Sequence, residues 1–459
     1  MYPRPLRFIA ALGLAAIGLL ALASPARAVP SFASQTGQPC TACHIGAFGP
    51  QLTPFGRAFK IGGYTLGGGD GLASKIPLAA FVQSSFNNTG AGQPGGAAPG
   101  FGDNNNFAVD QVSLFLAGRA TDYLGAMIQT TYSGTSNLPF QKNFFLDNSD
   151  IKLTTPVDIG DTNLRIGLDL NNGPGVQDPF NSSLVWGPPY EGSALAPTPS
   201  WEPLLTGAFQ GNSIGVTAYA WYDNALYAEF GVYRTMEDKY QKALGTYGNL
   251  PGNSSAPMPY VRVAYEWDWG GQSADIGATW LHSELQPGEI PAIGTDKYND
   301  IAVDASYQFL GDGTHTATFL GSMTHEIQRL DASYAQGLAS NPNNTLDELR
   351  ATVNYYYKST YGVQFGVKKI WGSQDTGLYA PGAITGSANG RPDSTAFIFE
   401  ADYVPFGKDD SWGAPFNNVK LGLQYTAYTQ FNGGTNNYDG YGRNASGNNT
   451  LYAFAWFAF

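Results

Sequence analysis

Val261-Arg262-Val263-Ala264-Tyr265-Glu266-Trp267-Asp268-Trp269 puts Val, Val, Tyr, Trp and Trp on one side and Arg, Ala, Glu and Asp on the other. Successive side chains of a strand point to opposite faces, so this stretch reads as a strand with one apolar and one wet face. Leu226, Ala228, Phe230 and Val232 alternate in the same way with Tyr227, Glu229, Gly231 and Tyr233. So do Val419, Leu421, Leu423, Tyr425 and Ala427 with Lys420, Gly422, Gln424, Thr426 and Tyr428. From Ile76 onward sixteen such segments follow, the first near 76–88 and the last near 449–459. A soluble sandwich also alternates, and the connections separate the two. Short links at 121–122, 156–160, 224, 270–272, 311–313 and 360 alternate with long ones at 89–106, 172–211, 236–257, 329–345, 374–393 and 432–448. Only 407–416 is longer than its series suggests. Short turns on one rim and long external loops on the other are the pattern of an outer-membrane barrel. The expectation is an all-β chain whose residues 76–459 form a 16-stranded antiparallel outer-membrane β-barrel. Leu451, Ala453, Ala455, Phe457 and Phe459 form one apolar face of the last segment. A terminal strand of this kind ending in Phe resembles the assembly signal of bacterial outer-membrane proteins.

Composition agrees. Only 13% of residues are charged and 14% are aromatic, with 58 glycines, whereas a usual soluble protein is about 25% charged. Residues 1–28 read as a secretory leader: Arg4 and Arg7 precede an apolar run from Phe8 to Ala23, and Ala26-Arg27-Ala28 is a small-x-small cleavage site. Removing its three arginines takes the formal charge from −12 to −15. So acidic a chain argues against nucleic acid as a partner and mildly favours cations. No later apolar run approaches the ~20 residues of a membrane-spanning helix.

The only two cysteines stand in Cys40-Thr41-Ala42-Cys43-His44. Cys-x-x-Cys-His is the attachment pattern of a c-type haem: two thiols reach the two vinyl groups, and the adjacent His44 is held beneath the iron. A thioredoxin-like pair needs no His at this spacing, and a zinc site lacks its second half. Residues 29–75 then form a small α-helical c-type cytochrome domain carrying one covalent haem c. Thr53 caps a helix with Pro54 at its first position and Gly62-Gly63 at its end. Phe55, Ala58 and Phe59 share helical spacing. A unit of about 40–50 residues barely forms a core of its own, so the haem supplies the missing apolar surface, walled by Phe32, Phe48, Phe55 and Phe59. Arg57 reads as an exposed helix charge, with a haem propionate as its alternative partner.

These features together resemble the fused monohaem cytochrome–porins of bacterial outer membranes, whose best-known members oxidise Fe(II). The resemblance rests on Pro30-x-Phe32-Ala33-x-Gln35-Thr36-Gly37, the Cys40–His44 motif, Phe55-Gly56-Arg57-Ala58-Phe59-Lys60, and the barrel pattern that runs to the end. One departure is Ser34, where the iron-oxidising members carry a basic residue. The resemblance implies an outer-membrane protein with its cytochrome in the lumen or at its periplasmic side. It implies electron transfer from an extracellular donor, Fe(II) first among them, to a periplasmic cytochrome c or cupredoxin. A porin for solute passage with the haem domain as gate or plug, and electron export to an extracellular acceptor, are the alternatives.

The sixth iron ligand is open. Past the leader and before residue 126 there is no methionine, and His44 is the only histidine. A barrel side chain, the amino terminus at Val29, Lys60, water or an open position would each serve. Strand parity turns Met127 to the lumen near the periplasmic third and makes it the named candidate; His315, beside a periplasmic turn, is a weaker one. Met323 and His325 share parity with Phe319 and face lipid. Arg119 and Arg165 have lumen parity at the same end and are candidate propionate partners. Glu229, Glu266 and Asp268 are candidates to line a cation approach.

Overall fold

The computed structural model describes residues 30–135, 144–160, 162–181, 190–246, 252–408 and 417–459. The expected leader, Val29 and most of the 407–416 link lie outside the described residues. Three short helices come first: α1 (Pro30–Thr36), α2 (Cys40–Cys43) and α3 (Pro54–Ile61). Eight long strands follow: β1 (Leu78–Thr89), β2 (Asn106–Arg119), β3 (Leu124–Tyr132), β4 (Phe144–Ile159), β5 (Thr162–Asn171), β6 (Ser213–Tyr222), β7 (Leu226–Thr235) and β8 (Met258–Asp268). The second eight are β9 (Gln272–Pro287), β10 (Asp296–Phe309), β11 (His315–Arg329), β12 (Asn343–Tyr357), β13 (Tyr361–Gly372), β14 (Ser394–Tyr403), β15 (Asn418–Gln430) and β16 (Thr450–Ala458). A three-residue piece, Gly252–Ser254, continues the β8 position along the end of β9.

Each strand pairs antiparallel with its neighbours, and β1 closes the ring by pairing both β2 and β16. Phe81, for example, faces Ser113 on one side and Ala458 on the other. Closure leaves no free edge, which is what lets a sheet cross a bilayer. The alternation holds where it was read most cleanly. Val263, Tyr265 and Trp267 are exposed while Arg262, Ala264 and Glu266 are buried. Leu421, Leu423 and Tyr425 are exposed while Lys420 and Gln424 are buried. Tyr222, Trp269, Tyr307, Tyr357, Tyr361 and Tyr403 stand exposed at the rim of the short turns, an aromatic belt of the kind found at the membrane–water interface. No described helix is long and apolar enough to cross a membrane; the strands do so.

Two features of the lumen depart from the sequence reading. The described parts of the link 172–211 turn inward: every residue from Asn171 to Asn181 is buried. Its backbone and side chains meet the inner wall at several points. Arg262 Nε pairs with Asp178 at 2.9 Å, Lys420 with Glu191 at 2.9 Å, and Lys368 with Glu202 at 2.5 Å. Length alone does not say whether a polar loop turns outward or into an equally polar lumen. The second feature is the N-terminal segment, whose own apolar cluster is the small Phe32–Phe59–Tyr64 triad and whose Ile61, Ala47 and Phe48 pack on the barrel wall.

Candidate functional site

Residues 30–65 sit inside the short-turn end of the barrel and touch its wall around much of the circumference, while most of 66–75 is exposed. The side chain of Thr53 accepts from Gly56 N at 3.1 Å and starts α3, with Pro54 at the first helical position. The helix ends at Gly62, and Gly63 turns the chain at φ +65°, where a Cβ would also strike Thr154. Gly56 has a different duty: a Cβ there would lie 2.3 Å from the Cys43 carbonyl oxygen. Only glycine lets α3 press against the Cys-x-x-Cys turn.

The wall contacts are polar and specific. Gln35 Nε2 donates to Tyr64 O and Leu66 O, and its Oε1 accepts from Arg119 N at 2.8 Å. Tyr64 Oη donates to Asp150 at 2.5 Å, beside the buried Lys152–Asp150–Asp169 cluster. Gln51 bonds Thr318 and Asn354, and Asn418 donates to Ala47 O at 2.6 Å. Arg57 is only 1% exposed. It donates through Nε and Nη2 to Glu266 at 2.9 and 2.5 Å, through Nη2 to Ser273 at 2.6 Å, and through Nη1 to Leu52 O at 3.0 Å. Arg57 is therefore not an exposed helix charge; it bolts α3 to β8 and is not among the residues that line the cavity between the segment and the wall.

Between this segment and the wall lies a cavity of ≈ 390 Å³, within the usual range for small-molecule and cofactor sites, about 300–1,000 Å³. Cys40, Cys43, His44 and Met127 all line it. It is lined by Phe32, Phe48 and Phe59 from the segment and by Phe81, Phe115 and Trp456 from β1, β2 and β16. Gln83, Gln111, Gln129, Asp147 and Asn148 line it as well. Phe81 joins the aromatic patch: its ring lies 4.7 Å from Phe115, 5.6 Å from Trp456 and 6.2 Å from Phe48, centroid to centroid.

The chemistry of the lining follows from burial. Burial lowers the His44 imidazole to about 4, opposed by the nearby Gly49 backbone; Nδ1 itself makes no hydrogen bond of bonding geometry among the described residues. The ring is neutral at physiological pH, as a metal ligand must be. Burial raises the Cys40 thiol to about 11 and the Cys43 thiol to about 12, and no disulfide joins them. Two unpaired thiols and a neutral imidazole on the lining of a largely apolar cavity are the groups a covalently held porphyrin needs. No group of three or more His, Cys, Asp or Glu side chains suited to a free metal ion occurs among the described residues.

The other sequence candidates fall elsewhere. Phe55 is 38% exposed and does not line the cavity. Its helix is buried round most of its girth by the barrel, so the i, i+3, i+4 face does not mark the packed side. Lys60 lines the cavity with its Nζ held by Val176 O at 2.7 Å and Asn181 Oδ1 at 2.9 Å. Arg119 pairs with Asp122 at the exposed rim, and neither it nor Arg165 reaches the cavity. His315 faces outward, bonded to Tyr355 Oη at 2.7 Å. Met323 is exposed on the outer face, as expected, and His325 pairs with Asp347. Glu229 is buried and accepts from Tyr227, Glu266 is taken by Arg57, and Asp268 is exposed at the end of β8. These three do not line a common approach. The parity argument that picked out Met127 also covers Phe81, Phe115 and Trp456, which were missed. Inward aromatics on three adjacent strands of an otherwise polar lumen were the available signal.

The strand frame is a closed 16-strand antiparallel barrel. An anion-selective porin from Comamonas acidovorans is similar at 14% identity and TM-score 0.44, covering 83% of this chain and 98% of that one. Salmonella typhi OmpF, in complex with daunomycin, is similar at 11% identity and TM-score 0.47, covering 83% and 97%. The outer-membrane channel DcaP of Acinetobacter baumannii is similar at 12% identity and TM-score 0.44, covering 83% and 96%. No protein-family model and no curated protein matches the sequence. Likeness at such identities concerns the strand frame alone.

Proposed function

We propose that this protein is an outer-membrane electron-transfer protein with a single c-type haem in the lumen. It takes electrons from an extracellular donor, Fe(II) in the first instance, and passes them to a periplasmic cytochrome c or cupredoxin. The observation that carries the reading is the cavity itself. The Cys40–His44 motif opens onto an apolar cleft whose far wall is built by inward aromatics of the barrel, a wall that a plain polar channel has no use for. In this reading Cys40 and Cys43 hold the group by thioether bonds and His44 is the proximal ligand. Bound there, haem supplies a one-electron carrier. The chain's own residues orient it, and the Arg57–Glu266 and Tyr64–Asp150 contacts fix the segment that bears it. A single porphyrin is far shorter than the ~30 Å hydrocarbon core, so the donor enters the lumen from the long-loop side while the carrier meets the short-turn side. Asp147 and the amides Gln83, Gln111, Gln129 and Asn148 on the cavity lining suit the approach of a hydrated cation. A soluble ferrous ion needs steering rather than tight ligation to give up an electron.

The test is a c-type absorption spectrum on the purified protein, followed by mixing with Fe(II). Reduction of the haem supports the iron donor; a c-type spectrum that Fe(II) never reduces at any relevant pH sinks it. The second reading, solute passage with the N-terminal segment as plug, draws on the porin-type frame. Planar-bilayer conductance separates them: a large open pore unchanged by deleting residues 30–75 favours passage. A low reduction potential favours electron export instead.

A further inference from the structure

We infer that Met127, on the barrel wall, is the sixth iron ligand, so that the coordination sphere is completed only when the N-terminal segment is docked in the lumen. The inference rests on the haem reading above and goes beyond it by assigning a ligand from the other domain. Met127 packs with Phe32 and Phe81 on the buried cluster Ala79, Phe115 and Ala117. Cys40 packs with the same Phe81 and with Trp456 on the neighbouring cluster Ala47, Phe48, Val404 and Ala458. The two clusters meet at Phe81, so one continuous apolar floor runs from the attachment cysteine to the Met127 thioether. Met127 thus faces, from the barrel wall, the same cavity that Cys40, Cys43 and His44 line from the N-terminal segment, and a group held by the motif there would have Met127 within its surroundings.

Competing donors along the cavity are otherwise engaged or misplaced. Tyr64 Oη is committed to Asp150 at 2.5 Å. Lys60 Nζ donates to Val176 O and Asn181 Oδ1. Asp147 accepts from Thr131 at 2.7 Å. Tyr190 is flanked by Glu191, itself paired with Lys420 at 2.9 Å, and phenolate ligation there would set a second anion beside that carboxylate. His315, the other sequence candidate, points away from the lumen. Met127 is the remaining soft, neutral donor, of the kind that partners His in many c-type cytochromes and raises their potential.

The arrangement is tested on full-length protein with covalent haem. Met127→Leu keeps the packing volume and removes the sulfur; Met127→His restores a strong-field ligand. The oxidised wild type should show the weak sulfur-to-iron charge-transfer band and a low-spin signal by electron paramagnetic resonance. Met127→Leu should lose that band completely and shift to high spin, Met127→His should return to low spin without the band, and both should keep barrel mobility on unheated gels. Retention of the wild-type band and spin state in Met127→Leu overturns the assignment while leaving the haem reading intact. Absence of covalent haem from the wild type overturns both.

Discussion

Replacing Glu266 by Ala should release the N-terminal segment from the lumen without unfolding the barrel. Arg57 and Glu266 are 1% and 5% exposed at their side chains and 2.5 Å apart. Removing one partner of a buried ion pair costs about 3–5 kcal/mol, because the surviving charge is left without compensation. Ser273 Oγ and Leu52 O remain as neutral acceptors for the guanidinium, and Asp275 lies within its electrostatic reach, which holds the expected loss near the lower end. At about 1.4 kcal/mol per factor of ten, a loss of about 3 kcal/mol raises the undocked population roughly a hundredfold or more. Amide hydrogen exchange of the peptide spanning Pro54–Ile61 reads that population directly when closing is fast. Exchange there should accelerate by about two orders of magnitude, while peptides from β10 to β14 stay unchanged. Replacing both partners, Arg57→Met with Glu266→Leu, should recover most of the protection, since a paired apolar replacement is often neutral. Unchanged exchange in Glu266→Ala, or a double variant worse than the single, would refute the claim that this pair anchors the segment.

Three smaller tests follow from the same geometry. Thr53→Ala removes the cap on Gly56 N and should cost about 1 kcal/mol, read as faster exchange confined to the first turn of α3. Gly56→Ala forces a Cβ to 2.3 Å from the Cys43 carbonyl, so haem content per chain should drop sharply while the barrel still folds; a fully loaded variant would count against the tight packing of α3 on the motif. In folded protein prepared without haem, burial holds the Cys40 thiol near about 11, so at pH 8 only about one in a thousand is thiolate. Iodoacetamide labelling should therefore be slow and should quicken as pH rises toward 11, with mass spectrometry counting the adducts; rapid labelling at pH 8 would show an open site.

The barrel was legible because a closed membrane sheet imposes period two on every strand, and the alternation maps onto burial across 262–267 and 420–425, departing from it at Val419 and Asp268. Helix α3 was legible in its cap and stop, Thr53-Pro54 and Gly62-Gly63, because those signals act within a few residues. Its surroundings were not: Arg57 and Glu266 are 209 positions apart, and no local pattern couples them. Phe55 was misjudged because helical spacing assumes one buried side, whereas a helix inside a barrel is enclosed on most of them. The inward turn of the described parts of 172–211 was hidden for a related reason, since a wet lumen and bulk solvent ask for the same polar residues. Met127 was reachable by parity alone, and its aromatic neighbours would have been too.

The central claim is that Cys40 and Cys43 carry a covalent haem on this barrel. Its most direct measurement is the haem content of the denatured protein isolated from outer membranes, by pyridine haemochrome spectrum and intact mass. One haem per chain, retained through denaturation and lost in Cys40→Ser with Cys43→Ser, is the predicted result. A denatured chain of unmodified mass, with both thiols free to alkylate, would contradict it.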